Sequence, residues 1–200
     1  MGTLKERLAG WLEGATRVAV LAVGSRLRGD DVAGLLTAVH LQRQLRRGVH
    51  ASACSCASMG DAPKDTLKRA LRAPEILILN GDTAPENMTG QIKDFKPSHL
   101  IILDAADTGR QVGHIDIVDP AGLSSNLSAT THSLPIKMVI EYIDHYAPCR
   151  STIVGIQPKT VHFGAPVTPA ISGAARELAG ILAQVLIVTR TSAGQTQQRA

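Results

Sequence analysis

The stretch Arg17-Val-Ala-Val-Leu-Ala-Val23, closed by Gly24-Ser25 and followed across a short loop by Gly29-Asp-Asp31, decides the fold class. Seven residues rich in branched aliphatics, with no polar alternation, are the signature of a strand buried on both faces, as in a parallel sheet covered by helices. From Asp31 to about Leu45 the period changes. Val32, Leu35, Leu36 and Val39 recur at helical spacing, with acid in the first turn and arginine near the end. The unit is therefore strand, loop, helix.

The same grammar repeats outward. Glu75-Ile-Leu-Ile-Leu79 ends in Asn80-Gly81-Asp82, Leu100-Ile-Ile-Leu103 ends at Asp104, and Thr152-Ile-Val-Gly-Ile156 precedes Gln157-Pro158. Each reads as a buried strand. Gly113 to Pro120 alternates polar and apolar, as expected of an edge strand with one wet face, antiparallel to its neighbours. Helices are predicted over residues 3–13, where Thr3 and Glu6 have capping-box spacing, from an Asn87 cap to about Phe95, from Ser133 and Pro135 through Ile136, Val139, Ile140 and Ile143, and from Thr168-Pro169 through Ile171, Ala175, Leu178, Leu182 and Val185. The expected architecture is a single-domain, three-layer α/β sandwich with a mostly parallel five-stranded sheet flanked by helices. Residues 1–16 read as an N-terminal helical addition, about 48–63 as a loop insertion, and 190–200 as a flexible tail.

Composition narrows the function classes. With 200 residues and 44% apolar content, one core of good size is available. Aromatic residues make up only 2%, and the excess of Lys plus Arg over Asp plus Glu, 21 against 17, includes the local Arg43, Arg46 and Arg47 group. A nucleic-acid binder needs a longer basic stripe or stacking aromatics, so this group reads as the solvated end of a helix, with an acidic partner as the alternative. Cys54, Cys56 and Cys149 form no CxxC pair and are odd in number, which argues against a disulfide framework or zinc knuckle and fits a reducing compartment. There is no run of 18 apolar residues and no signal-peptide pattern, so a cytoplasmic protein without membrane insertion is expected, and a monomer.

Functional groups in open α/β sheets collect at the carboxyl ends of the strands. Three segments sit there: Gly29-Asp-Asp31, Asp104-Ala-Ala-Asp107 and Thr130-Thr-His132-Ser. The glycines near residue 24 do not form GxGxxG, and two aspartates at a helix start would repel a pyrophosphate. Helix capping accounts for one of Asp30 and Asp31 but less well for both. Two carboxylates and an imidazole make an oxygen and nitrogen donor set suited to nickel, zinc or manganese, although dispersed ligands carry no diagnostic interval, and a capping role remains open. Asp107, beside Thr108-Gly109, reads as a turn-ordering residue. Among seven histidines His132 is the one flanked by hydroxyls and a helix start; His40, His50, His99, His114, His145 and His162 lack such neighbours.

Gly24-Ser25 with Gly29-Asp-Asp31-Val-Ala-Gly34, Ala84-Pro-Glu-Asn87, Leu103-Asp-Ala-Ala-Asp-Thr-Gly109, Thr130-Thr-His-Ser-Leu-Pro135 and Gly155-Ile-Gln-Pro158 together resemble the nickel-iron hydrogenase maturation endopeptidases, most of all the hydrogenase 3 branch. The likeness runs from about residue 17 to 187. It implies a cytoplasmic hydrolase, grouped with aspartic-type endopeptidases, that removes a C-terminal extension from a hydrogenase large-subunit precursor after nickel insertion, with nickel as recognition motif carried by the substrate protein. It also implies that Asp31, Asp104 and His132 are the metal-binding and catalytic residues. Asn80 departs from the aspartate usual before the Pro-Glu-Asn motif. Two other readings stay open: a nickel-sensing chaperone that docks without cutting, and a phosphorylase-like enzyme on the same layered fold, for which Arg26 and Arg28 would bind phosphate.

Overall fold

The structure, a computed structural model, describes residues 2–54, 74–118 and 133–192. Its elements are α1 (Leu4–Trp11), β1 (Arg17–Val23), α2 (Ala33–Cys54), β2 (Glu75–Asp82), α3 (Thr89–Phe95), β3 (His99–Ala105), β4 (Ile115–Val118), α4 (Ser133–Tyr146), β5 (Arg150–Ile156) and α5 (Pro169–Ser192), with 3-10 turns at Gly29–Val32 and Pro85–Met88. The strands form one sheet in the order β2-β1-β3-β5-β4. All neighbours are parallel except β4, which runs antiparallel to β5 at the edge. The expected mostly parallel five-stranded sheet with one antiparallel edge strand is the observed one.

Period-two alternation divides the strands between two cores. Val18, Val20, Ile101, Leu103, Ala105, Val154 and Ile156 face α1, α2 and α5. Ala19, Leu21, Val23, Leu100, Ile102 and Ile153 face α3 and α4. Both sides of β1 and β3 are thus buried, which is why their sequences are apolar throughout. Helix α1 is held by the Thr3–Glu6 capping box and inserts Leu8 into the first core, as does Leu12 at its C-cap, both fully buried; each such burial stabilises the fold by roughly 1.5–3 kcal/mol. Helix α5 has a 19-residue stretch, Pro169–Ile187, long and apolar enough to cross a bilayer, but half of it is buried inside the protein.

Element ends differ from the sequence expectation in places. Helix α2 continues to Cys54, past Gly48, so residues 48–54 are helical rather than part of a loop insertion. One glycine costs a helix only about 1 kcal/mol, and Ala51 and Ala53 favour continuation. The rest of that proposed insertion, from residue 55, lies outside the described residues. Arg43, Arg46 and Arg47 are solvent-exposed, as expected, but in the body of the helix. Asn87 does not cap a helix: it lies in the 3-10 turn, and α3 starts at Thr89 without a side-chain cap. Helix α5 runs to Ser192, taking in the first residues of the expected tail, and residues 193–200 lie outside the described set.

One contact seats α2 on the sheet. A Cβ on Gly34 would collide with the carbonyl oxygen of Leu103 and lie 2.5 Å from that of Val23, so the first turn of α2 rests directly on the ends of β3 and β1. Gly173, in α5, has open space where its Cβ would be. Gly34→Ala should therefore destabilise the protein by about 1–3 kcal/mol through overpacking, whereas Gly173→Ala should stabilise it by about 0.5–1 kcal/mol. Urea unfolding of the two variants measures both signs.

His99, at the start of β3, is 4% exposed and meets the Trp11 ring edge-on at a centroid distance of 4.9 Å. Burial, and secondarily the charge of Arg150, pull its pKa below the ordinary 6.5 against a smaller upward pull from the Trp11 backbone. The folded state then binds fewer protons than the unfolded one, so the contribution is complete above the unfolded value and is lost as pH falls below it. Unfolding midpoints should decline between about pH 7 and pH 5 more steeply for the wild type than for His99→Phe.

Candidate active site

The carboxyl ends of β1 and β3 and the turns that leave them build the site. Asp31 stands three residues before Gly34, and Asp104 directly follows Leu103, so the contact that seats α2 also brings the two carboxylate-bearing segments together. Asp104 is the sixth residue of β3, paired with Gly155 of β5, rather than the first residue after the strand. By alternation it points to the side of Leu100 and Ile102, the side covered by α4. Asp31 and Asp104 are both fully buried. Burying an ionised carboxylate costs several kcal/mol unless an attractive partner compensates, so two fully buried aspartates on adjoining segments mark this rim as unlike an ordinary protein surface.

Helix α4 runs back from this rim toward the start of β5, its 14 residues spanning about 21 Å, and it packs on the Pro85–Met88 turn that follows β2. His132, the third expected ligand, immediately precedes α4 in the chain but lies outside the described residues. Among the described residues no three His, Cys, Asp or Glu side chains are grouped to hold a metal ion. The structure thus brings together the segments of two of the three expected ligands.

Asp30, which the resemblance left without a role, has a structural task of its own. Its carboxylate accepts from the backbone N–H groups of Lys159 at 2.9 Å, Thr160 at 3.3 Å and Thr168 at 2.7 Å, and from the Thr168 hydroxyl at 3.3 Å. Its own N–H donates to the Thr160 carbonyl at 3.0 Å. Asp30 therefore straps the loop after β5 to the turn carrying Asp31, and caps no helix. Gly29 makes the close approach possible, with φ +54° and Thr160 O 2.9 Å from the place of a Cβ.

Gln157 does the same for the loop after β3. Its side-chain carbonyl accepts from Thr108 N at 2.7 Å, Thr108 Oγ1 at 3.1 Å and Arg110 N at 3.3 Å, while its amide donates to Asp107 Oδ1 at 3.1 Å. Asp107 also accepts from Gly109 N at 3.3 Å, which bears out its turn-ordering role. No spacing in the sequence identifies Gln157 or Asp30 as clamps, because their partners lie about 50 and 130 residues away.

Other candidate chemistry falls away. Arg26 and Arg28 are exposed, and the Arg28 guanidinium donates to the Val161 carbonyl, so the buried groups at the rim are carboxylates and not phosphate-binding arginines. Cys149 lies before β5, at the opposite end of the sheet, and burial pushes its thiol up and away from the reactive thiolate.

The sequence profile of the hydrogenase maturation proteases matches residues 64–185. The chain belongs to the hydrogenase maturation protease family. A hydrogenase 3 maturation protease of Escherichia coli is 31% identical over 155 residues, covering 78% of this chain and 81% of its own length. The crystal structure of the NiFe hydrogenase maturation protease HycI from Thermococcus kodakarensis matches with a TM-score of 0.70 at 26% identity, over 90% of this chain and 99% of that one. The solution structure of the endopeptidase HycI from Escherichia coli matches with a TM-score of 0.61 at 28% identity, over 84% and 90% of the two chains. The protease fold in these relatives is the layered sheet described above, and the family assigned from the ordered motifs is the family found.

For this protease the Asp30 strap has a measurable consequence. Asp30→Ala leaves the part-buried N–H groups of Lys159 and Thr168 without their acceptor and should destabilise the fold by about 1–3 kcal/mol. Chemical denaturation measures the loss, which Asp30→Asn, keeping one acceptor oxygen, should reduce.

Proposed function

We propose that this protease removes a C-terminal extension from a hydrogenase large-subunit precursor once nickel has been inserted, working in the cytoplasm as a monomer. Nickel arrives as part of the substrate, and Asp31, Asp104 and His132 engage it. The observation that carries the reading is the pair of fully buried carboxylates, Asp31 and Asp104, on segments that one backbone contact brings together at the carboxyl end of the sheet. Oxygen and nitrogen donors of this kind suit a divalent ion of intermediate softness. The half-buried free thiol of Cys149 fits a reducing compartment.

Peptide hydrolysis requires a water positioned on the scissile carbonyl, a base for its proton and an acid for the departing amine. Nickel held by the precursor supplies Lewis-acid polarisation and fixes the peptide in place. A carboxylate oxygen of Asp31 or Asp104 not engaged by the ion takes the proton from water and returns it to the amine. Selectivity for mature precursor follows, because a nickel-free chain lacks the anchoring contact.

The test is incubation of purified protein with nickel-loaded precursor, read as a shortened large subunit on a gel. Asp31→Asn and His132→Ala should each slow shortening by roughly a hundredfold or more with little change in melting temperature, and nickel-free precursor should stay uncut. Wild-type-like shortening by either variant would sink the assigned site, and no shortening by the wild type would leave the non-cleaving chaperone as the reading.

A further inference from the structure

The rim also carries an apolar ledge that the buried carboxylates do not use. Leu27, Phe163 and Val167 expose 64%, 79% and 38% of their surface. The chain has only two phenylalanines, and the other, Phe95, packs against the second core. Phe163 thus stands in water although burial sites exist for its residue type. The loop that holds it is not loose. Gly164 N donates to the Leu27 carbonyl at 2.8 Å, Arg28 Nε donates to the Val161 carbonyl at 3.1 Å, and the Asp30 carboxylate grips both ends of the loop, at Lys159 and Thr168. Apolar side chains displayed on a frame tied at four points cannot fold back onto the core, and such preorganised groups are the usual anchors of protein interfaces.

Charge states what the partner must bring. Arg26, Arg28 and Lys159 are exposed beside the ledge, while the acids of the same segments, Asp30 and Asp31, are fully buried. The outward face is therefore cationic around an apolar centre, complementary to a chain segment with an apolar side chain flanked by acidic ones. The ledge also grows from the turn that carries Asp31, four residues after Leu27.

We propose that the Leu27–Phe163 ledge is the docking surface for the protein substrate, taking an acidic, apolar segment of the large-subunit precursor beside the bond to be cut. This rests on the proteolytic reading above for the identity of the substrate. The test measures cleavage rates and equilibrium binding of nickel-loaded precursor for the wild type, Phe163→Ser, Leu27→Ser and the double charge reversal Arg26→Glu, Lys159→Glu. Phe163→Ser should raise KM and Kd roughly tenfold with kcat nearly unchanged, Leu27→Ser should act in the same direction, and the charge reversal should slow association and remove its salt dependence. Unchanged melting temperatures would show that the exposed positions had not altered the fold. A wild type that cleaves together with serine variants of unchanged KM and Kd overturns the ledge and leaves the protease. A wild type that binds in a Phe163-dependent manner without cleaving overturns the protease and supports the ledge. No measurable binding by the wild type overturns the ledge as well.

Discussion

The site depends on how closely the first turn of α2 approaches the sheet. Because Gly34 has no side chain, the helix backbone rests on the carbonyls that end β1 and β3, and the segments that carry Asp31 and Asp104 adjoin there. Any larger residue would push the helix outward, so a packing constraint in the backbone sets how the segments at the rim meet. This is the economy of a parallel sheet: the rigid strands set positions, and the turns at their carboxyl ends present the reactive groups.

Around that seat two polar side chains replace what regular secondary structure cannot supply. Asp30 gathers three backbone amides and a hydroxyl from the 159–168 loop, and Gln157 gathers those of the 107–110 turn. Loops without internal hydrogen-bond ladders must satisfy their buried N–H groups somewhere, and here both are satisfied by residues on the neighbouring loop. The rim is therefore cross-braced, and the exposed Leu27 and Phe163 owe their fixed positions to the same braces.

Much of the architecture was legible in the sequence for a simple reason: strands buried on both faces must be apolar along their whole length, and β1, β3 and β5 could be read directly. The antiparallel β4 announced itself by alternation. Element ends were less legible. Gly48 looks like a helix stop, but a single glycine is a small penalty beside a helix already packed on α5 and the sheet, and α2 continues to Cys54. Asn87 looks like a cap, but the Pro85–Met88 turn had already started the chain toward α3.

By itself the sequence determined the fold class and the family, because hydrophobic period and ordered motifs are local properties that survive without coordinates. Only the tertiary structure showed how the surroundings of Asp30 and Asp31 differ. Adjacent in sequence and alike in chemistry, they differ in which part of the fold each side chain meets: Asp30 meets a loop some 130 residues away and is consumed by its amides, while Asp31 is buried on the segment that Gly34 seats beside Asp104. The roles of Gln157 and Phe163 were hidden for the same reason. A clamp and a ledge are made by contacts distant along the chain, and no local spacing encodes them.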